Sequence, residues 1–484
     1  MIRLSTVQRV AKNTGIVIVG NVIFRVIALF VIIYLARYLG TADFGKYNFV
    51  FAYLAFFGVI TDLGLRAILV REMSRNPSIT PKLIGNAYII KLLLTVFAVV
   101  LSIIVISFLS YPKDTTTYVY IAAFTLLFIS FSEFYSGIFQ SNLRMVYNII
   151  ARLVYRILSA ILIFWIIFSH GTLMQIIAVL VFSEGIKTLI SYLFSRKFTR
   201  AKFEIDFGLW KYLFKEALPI ALSGVLFIIY FRIDVIMLSM MQGDAAVGIY
   251  SAAYKLSEPL TLIPHAFMMS LFPLMSGYFE TSRDKLIKSY KLSFKYLFMI
   301  ALPIAIGTTL IADKLILIIY KSPFANSTTV LQILIWALVF VSVNSVLLHL
   351  LISMGKQKLS TLSYALCAVA NVTLNFILIP IMSYNGAAIA TVVTNAVLFL
   401  ASFYFVSKHL QMLPVHKIMI KPVISGLTMG AFVYYFIDFN LFLLVPLAAI
   451  IYLVALLVLK TFSKEDQDII KKIVSNIPWI RRLI

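Results

Sequence analysis

The feature that most constrains this chain is a succession of long apolar runs that extends from about residue 13 to residue 460. A helix that crosses a bilayer needs roughly 20 apolar residues, and its backbone satisfies its own hydrogen bonds in the hydrocarbon. The 484 residues are 62% hydrophobic and only 13% charged, whereas about a quarter of the residues of a soluble domain are charged. The sequence therefore predicts an all-α polytopic membrane protein with about fourteen transmembrane helices.

The distribution of Lys and Arg over the predicted loops indicates the orientation of the chain. Loops on the amino-terminal side carry most of the basic loop residues, and the opposite loops carry Lys46, Lys113, Lys314 and Lys321. Because basic loops stay in the cytoplasm, we expect both termini to be cytoplasmic in a multi-pass protein of the cytoplasmic (inner) membrane. The same rule explains the excess of 42 Lys and Arg over 19 Asp and Glu, so nucleic acid is not a predicted partner.

Two short motifs indicate an internal duplication. LGTADFGKY at residues 39–47 and QGDAAVGIY at residues 242–250 both read G-x-x-x-x-G-x-Y, and each lies between two long apolar runs. Convergence is the alternative explanation, since Gly, Ala and Asp are common in tight turns. The longest polar connector, Arg196–Lys215, separates the first six predicted spans from the rest. We therefore predict two six-helix lobes related by a pseudo-two-fold axis, followed by two more helices and a cytoplasmic tail, with the boundaries 1–200, 201–410 and 411–484.

Three ionisable residues of the first two predicted spans are candidate functional groups. Each costs roughly 3 kcal/mol or more to insert, so such residues usually face a wet cavity or a partner. Arg25 lies near the midplane of the first span, either as a cavity ligand or tied to a buried carboxylate. Asp62 and Arg66 lie four residues apart in the second predicted span (45–68) and are expected to pair as a gate or a helix latch. Lys91 lies near a cytoplasmic end and is expected to snorkel.

A second group of candidate residues lies in the fifth predicted span and beside it. Arg152 and Arg156 are four residues apart, so their like charges share one helix face and repel each other unless an anion lies between them. Glu133 and Glu184 are candidates for that anion, and a bound phosphate would serve equally well. The sequence leaves these two alternatives open.

The second half of the chain carries its own set of charged candidates. Arg232 and Asp234 lie in the seventh predicted span, and Lys255 and Glu258 lie three residues apart in the eighth. Pro259 follows Glu258, so the helix is predicted to break there, beside protein or a cavity. Candidate gating or ion-coupling residues are therefore Asp62, Arg66, Glu133, Asp234 and Glu258, and the sequence does not rank them.

The sequence contains no motif for nucleotide or metal binding. It has no GxxxxGK[ST] loop, no HExxH motif and a single cysteine, Cys367, so neither ATP-driven transport nor a cofactor is predicted. The predicted outer loops are too short for a catalytic constellation, so the chain is not predicted to be an enzyme.

Four segments resemble a known family: ARYLGTADFGKYNFVFAYLAFFGVITDLGL at 36–65, RIDVIML at 232–238, GDAAVGIYSAAYKL at 243–256 and NGAAIAT at 385–391. With them the chain resembles the polysaccharide flippases, the Wzx-type transporters of the multidrug/oligosaccharidyl-lipid/polysaccharide exporter superfamily. The resemblance implies a V-shaped pair of lobes around a central cavity. It also implies movement of a polyprenyl (di)phosphate-linked oligosaccharide from the cytoplasmic to the outer leaflet by alternating access.

The resemblance further implies that basic cavity residues hold the phosphates of the substrate. That role is carried over first to Arg25, and by location alone to Arg152, Arg156, Arg232 and Lys255. The resemblance does not decide whether transport is coupled to H+, Na+ or the membrane potential. It also does not decide whether the chain contacts polysaccharide assembly proteins. A drug exporter of the same superfamily is the first alternative, although deep basic residues disfavour organic cations. A membrane polysaccharide polymerase or ligase is the second.

Overall fold

The computed structural model describes residues 6–199 and 201–462, excepting the side chains of residues 6–19, 21 and 22. The predicted carboxyl-terminal tail lies largely outside the described residues. Helices dominate the described part of the chain, which contains no strand. The helices are α1 (Thr6–Asp62), α2 (Leu65–Arg75), α3 (Thr80–Phe108), α4 (Lys113–Ser141), α5 (Val146–Phe168), α6 (Leu173–Ser195), α7 (Phe207–Gln242), α8 (Asp244–Ser257), α9 (Leu262–Thr281), α10 (Arg283–Tyr320), α11 (Ser327–Leu334), α12 (Ala337–Ser353), α13 (Gln357–His409), α14 (Val415–Tyr435) and α15 (Leu441–Val458).

The described residues contain 12 helical segments that are long and apolar enough to cross a membrane. The predicted class, an all-α multi-pass membrane protein, is thereby confirmed. Two helices are far too long for one crossing, since the 57 residues of α1 would span about 85 Å against a hydrocarbon thickness of about 30 Å. Both contain a break, α1 at Gly40 and α13 at Ser383. Taking each as two spans would give the fourteen predicted, and that count stays a prediction.

The two G-x-x-x-x-G-x-Y motifs adopt the same unusual backbone conformation. Gly40 has φ 69° and ψ −176°, and Gly243 has φ 81° and ψ −177°. Both lie in the region of positive φ that a side chain disfavours, which explains why each motif begins with glycine. The chain breaks its helix at equivalent positions of the two motifs, as the predicted duplication requires.

The second glycines of the two motifs lie at a close contact between the two turns. A Cβ atom built on Gly45 would lie 1.7 Å from the carbonyl oxygen of Asp244, and one built on Gly248 would lie 1.9 Å from that of Thr41. Thr41 and Asp244 occupy equivalent positions of the two motifs. The backbone carbonyl that follows the first glycine of each motif therefore faces the second glycine of the other motif. Reciprocal contacts of this kind are typical of an interface around a two-fold axis.

The chain divides into two compact units, of which the first comprises Met1–Lys255, Ile319–Phe324 and Ala368–Ala387. Within it, α4 packs against α3 and α6, and α1 packs against α5 and α7. Its described residues include several charged side chains that are buried, which are Glu72, Lys91, Glu184, Lys187 and Asp234.

The second compact unit comprises Leu256–Ile318, Ala325–Cys367 and Ala388–Ile484. In it α9 packs against α12, and α14 packs against α15. The buried polar side chains among its described residues are neutral. For example, the amide of Asn344 donates to the carbonyl oxygen of Asn395 at 3.0 Å. The predicted lobe boundaries stay a prediction.

The segment that leads into α7 is anchored by polar contacts. The Asp206 carboxylate caps the helix by accepting from the Leu209 amide at 3.0 Å, and it lies 2.7 Å from the Lys82 ammonium. This ammonium holds the pKa of the Asp206 carboxyl below its usual range. Asn86 accepts from the backbone N–H of Asp206 and the indole of Trp210, so the connector is fastened to α3.

Cys367 is fully buried in α13. Its thiol lies 3.5 Å from the carbonyl oxygen of Thr394. As the only cysteine in the sequence, it cannot form a disulfide within the chain.

Candidate functional site

The junction of α1 and α2 holds an ion pair between a buried lysine and a partly exposed aspartate that the sequence did not predict. The Nζ of Lys91, which is fully buried, lies 2.7 Å from Oδ1 of Asp62 and donates to the carbonyl of Thr61 at 3.2 Å. The expected pairing of Asp62 with Arg66 is therefore wrong, and so is the expectation that Lys91 snorkels. The first error has a local cause: Leu63 and Gly64 have left-handed backbones, with φ of 43° and 77°, so the helix that contains Asp62 stops before Arg66.

Arg66 instead contacts α4. Its guanidinium pairs with the carboxylate of Glu133 and lies 3.3 Å from the hydroxyl of Ser136. A third contact joins the Arg66 guanidinium to the amide oxygen of Gln140 at 3.4 Å. These three partners are spaced by three and four residues, so they form one face of α4. Arg66 therefore fastens α2 to α4 while remaining a third exposed, at 34% of its side chain.

A cluster of predicted site residues gathers around α5, and we call it the arginine cluster. The charges of Arg25, Arg66, Glu133 and Arg156 all act on Arg152. The cluster therefore combines four guanidinium groups with one carboxylate. Arg25 is exposed on α1, and the α5 arginines are partly buried.

Phe24, which the sequence did not single out, contacts two arginines of the cluster. Its ring centroid is 4.6 Å from the guanidinium carbon of Arg152 and 4.3 Å from that of Arg156, well within the range of a cation–π contact. The Nε of Arg156 is buried without a hydrogen-bond partner. The cluster can therefore attract an anion with oxygen acceptors, such as a phosphate.

Glu184 does not serve as the predicted counter-ion between the two α5 arginines. It pairs with Lys187, one turn further along α6, and both residues are buried. Lys187 was missed, although its position three residues after a glutamate was a signal for a pair on one helix face. The ring centroid of Tyr155 lies 5.4 Å from the guanidinium carbon of Arg156 and 5.2 Å from the Nζ of Lys187.

The second-half candidates Arg232, Asp234 and Lys255 line a small pocket of the first unit with Asn48. Its volume of about 10 Å³ is close to the space that one water molecule needs. Asp234 is only 4% exposed. Its carboxylate accepts from the hydroxyl of Tyr250 and, at 2.8 Å, from the Val235 amide.

Glu258 begins a 3₁₀ turn, Glu258–Thr261, that separates α8 from α9. The predicted break at Pro259 is confirmed, because proline cannot continue the hydrogen-bond ladder. The structure thus brings Arg25, Arg66, Glu133, Arg152 and Arg156 into one cluster and Arg232, Asp234 and Lys255 into one pocket. Among the described residues, no group of three or more His, Cys, Asp or Glu side chains could hold a metal ion.

Comparison with known proteins gives matches over most of the chain. Residues 10–279 match the family model described as "Polysaccharide biosynthesis protein", and residues 219–377 match the MatE family model. The chain is similar to the capsular polysaccharide biosynthesis protein CapF of Staphylococcus aureus, with 23% identity over 81% of this chain and 98% of that protein. It is also similar to the probable low-salt glycan biosynthesis flippase Agl15 of Haloferax volcanii, with 21% identity over 80% of this chain and 81% of that protein.

Among solved structures, the fold matches the lipid II flippase MurJ in an inward closed conformation. The TM-score is 0.76 at 15% identity, and the match covers 90% of this chain and 97% of MurJ. At that identity the likeness shows the fold alone, a bundle of many long helices.

Proposed function

Because the chain belongs to the polysaccharide biosynthesis protein family, we propose that it is a flippase for a lipid-linked oligosaccharide. It moves a polyprenyl (di)phosphate-linked sugar from the cytoplasmic to the outer leaflet by alternating access, without ATP. The names of the relatives and the MurJ-like fold support this proposal. Both termini face the cytoplasm, and the protein acts as a transporter rather than as an enzyme.

The observation that carries the proposal is the arginine cluster. Four guanidinium groups beside one carboxylate leave positive charge in a span region, where charge is expensive unless an anion or water faces it. Arginine suits a phosphate because its fork of N–H donors matches two phosphate oxygens. Arg25, Arg152 and Arg156 thus bind the phosphates of the substrate. Arg232 and Lys255 are candidates for the same role by location alone, because their pocket in this structure has room for about one water molecule.

The membrane potential contributes to driving export of an anionic substrate. Moving negative charge out of a negative-inside cell gains roughly 2.3 kcal/mol per charge per 100 mV. Ion coupling would add to this gain, with Asp234 and Glu258 as its candidates. Asp62, Arg66 and Glu133 are proposed as gating residues, because their ion pairs join α1, α2, α3 and α4.

The test is an Arg25→Ala variant in proteoliposomes that contain a fluorescent polyprenyl diphosphate-linked sugar. We expect flipping to fall to the background of protein-free vesicles, while the thermal unfolding temperature stays near that of the wild type, because Arg25 is exposed. Arg75→Ala is the matched control, since Arg75 is an exposed arginine at the end of α2 and should leave flipping unchanged. Undiminished flipping by Arg25→Ala would contradict the proposed role of Arg25.

Export of organic cations is the alternative, and the match of residues 219–377 to the MatE family model favours it. The arginine cluster opposes it, because clustered guanidinium groups repel a cation. Ethidium efflux from cells that express the chain distinguishes the two. Efflux above the empty-vector level, together with no flipping of the lipid-linked sugar, would favour the exporter.

A further inference from the structure

Two arginines of α5 contact one aromatic ring of α1. Arg66 pairs with Glu133, and Lys187 pairs with Glu184. The guanidinium groups of Arg152 and Arg156 share the ring of Phe24. Aromatic and carboxylate partners therefore coexist within one region of the first unit.

The two kinds of partner have different electrostatic consequences. A carboxylate attracts a cation and cancels its charge, whereas an aromatic face attracts it through the ring quadrupole and adds no net charge. Arg152 and Arg156 lie four residues apart on α5, so they repel each other in the absence of an anion. A shared ring offsets part of that repulsion without adding negative charge of its own. The unpartnered Nε of Arg156 shows that its hydrogen-bonding capacity is not fully used within the protein.

We propose that Phe24 is a positioning residue of the anion site: its ring holds Arg152 and Arg156 side by side so that the pair binds one phosphate group. This inference rests on the proposed function for the identity of the ligand, a prenyl phosphate. In this inference an apolar residue, Phe24, sets the distance between two charged groups. Phe24 also precedes Arg25 in α1, so its contact with α5 places the Arg25 backbone beside the same pair.

The experiment measures binding of farnesyl diphosphate to the full-length protein in detergent by isothermal titration calorimetry, with farnesol as the uncharged comparison. Phe24→Leu should raise the Kd for farnesyl diphosphate about tenfold and leave farnesol binding unchanged. Phe24→Tyr should restore a Kd near the wild-type value, because the ring is retained. Phe30→Leu is the matched control, since Phe30 is an exposed phenylalanine of the same helix at 60% exposure, and its Kd should not change.

A double-mutant cycle separates positioning from general support of the fold. Once Arg152→Gln and Arg156→Gln are both present, adding Phe24→Leu should cause no further loss of farnesyl diphosphate binding. A further tenfold loss in that background, or equal losses for farnesol and the diphosphate, would overturn the inference. If Phe24→Leu does not fold, Phe24→Met replaces it with the same expected outcome.

The outcomes also separate this inference from the proposed function. Absence of farnesyl diphosphate binding by the wild type overturns the positioning role. Tight binding with the expected pattern of variants, combined with no flipping in proteoliposomes, supports Phe24 as a positioning residue and contradicts only the flippase.

Discussion

The two compact units bury different kinds of polar group. Among the described residues, every buried charged side chain lies in the first unit, whereas the buried polar side chains of the second unit are hydroxyls and amides. A buried charge is tolerated only when it is paired and hydrogen-bonded, and losing one partner is expensive. A neutral amide or hydroxyl costs far less to bury. The interior of the first unit thus carries groups that can respond to a charged ligand, whereas the buried polar side chains of the second unit are neutral.

The largest expected effect tests the charged interior of the first unit. Asp62→Ala leaves the fully buried Lys91 ammonium without its carboxylate, which should lower the free energy of unfolding by about 3 kcal/mol. The measurement is denaturant unfolding in mixed micelles. Adding Lys91→Met should restore most of the loss, because no uncompensated charge then remains. If Asp62→Ala were as stable as the wild type, Asp62 would not be the counter-ion that stabilises the buried Lys91 ammonium.

The second prediction compares a crowded glycine of the first unit with an open one of the second. Gly248→Ala places a methyl group on the Thr41 carbonyl, and such overpacking should cost about 1–3 kcal/mol. Gly277→Ala in α9 meets nothing within 4 Å and should be neutral or slightly stabilising, because alanine favours helix. Thermal unfolding of both variants measures the difference. Equal effects would mean that the two turns do not touch as described.

The third prediction concerns the neutral interior of the second unit. Asn344→Leu removes a hydrogen bond of 3.0 Å to the Asn395 carbonyl, and we expect a loss of about 1 kcal/mol. The same unfolding assay applies. A loss as large as that of Asp62→Ala would erase the contrast between the two units.

The smallest expected effect on stability concerns the ion pair of Lys82 and Asp206 in the segment that leads into α7. Lys82 lowers the pKa of the Asp206 carboxyl, so the pair stabilises the folded state at neutral pH, and this contribution is lost as the pH falls through the lowered pKa. Asp206→Asn keeps a capping oxygen without the charge, so the stability difference from the wild type should shrink as the pH is lowered to about 3. A difference that is constant with pH would contradict this origin.

The sequence predicted what depends on hydropathy and on local motifs. The helical membrane fold followed from apolar run lengths, and the break after Glu258 followed from Pro259. The common conformation of Gly40 and Gly243 agrees with the duplication inferred from two nine-residue segments. Such features need only short-range information, because span length and backbone conformation are set by neighbouring residues.

The partners of individual charges were not predicted correctly. The i, i+4 argument for Asp62 and Arg66 assumed an unbroken helix. The segment LGL at residues 63–65 does not by itself predict that Leu63 and Gly64 adopt left-handed backbone conformations. Lys91 and Phe24 were missed as partners because their contacts join helices that are far apart in sequence. Periodicity gives the face of a helix on which a residue lies, but tertiary packing decides which helix meets that face.

The buried position of Cys367 has a practical consequence for probing motion in this chain. A thiol with no exposed surface reacts slowly with water-soluble maleimides, and no second native cysteine competes with it. Cysteines introduced at exposed sites could therefore be labelled in the native background with spin or fluorescent probes. Distances between such probes on α1 and α8 would report directly whether the two glycine turns separate during a transport cycle.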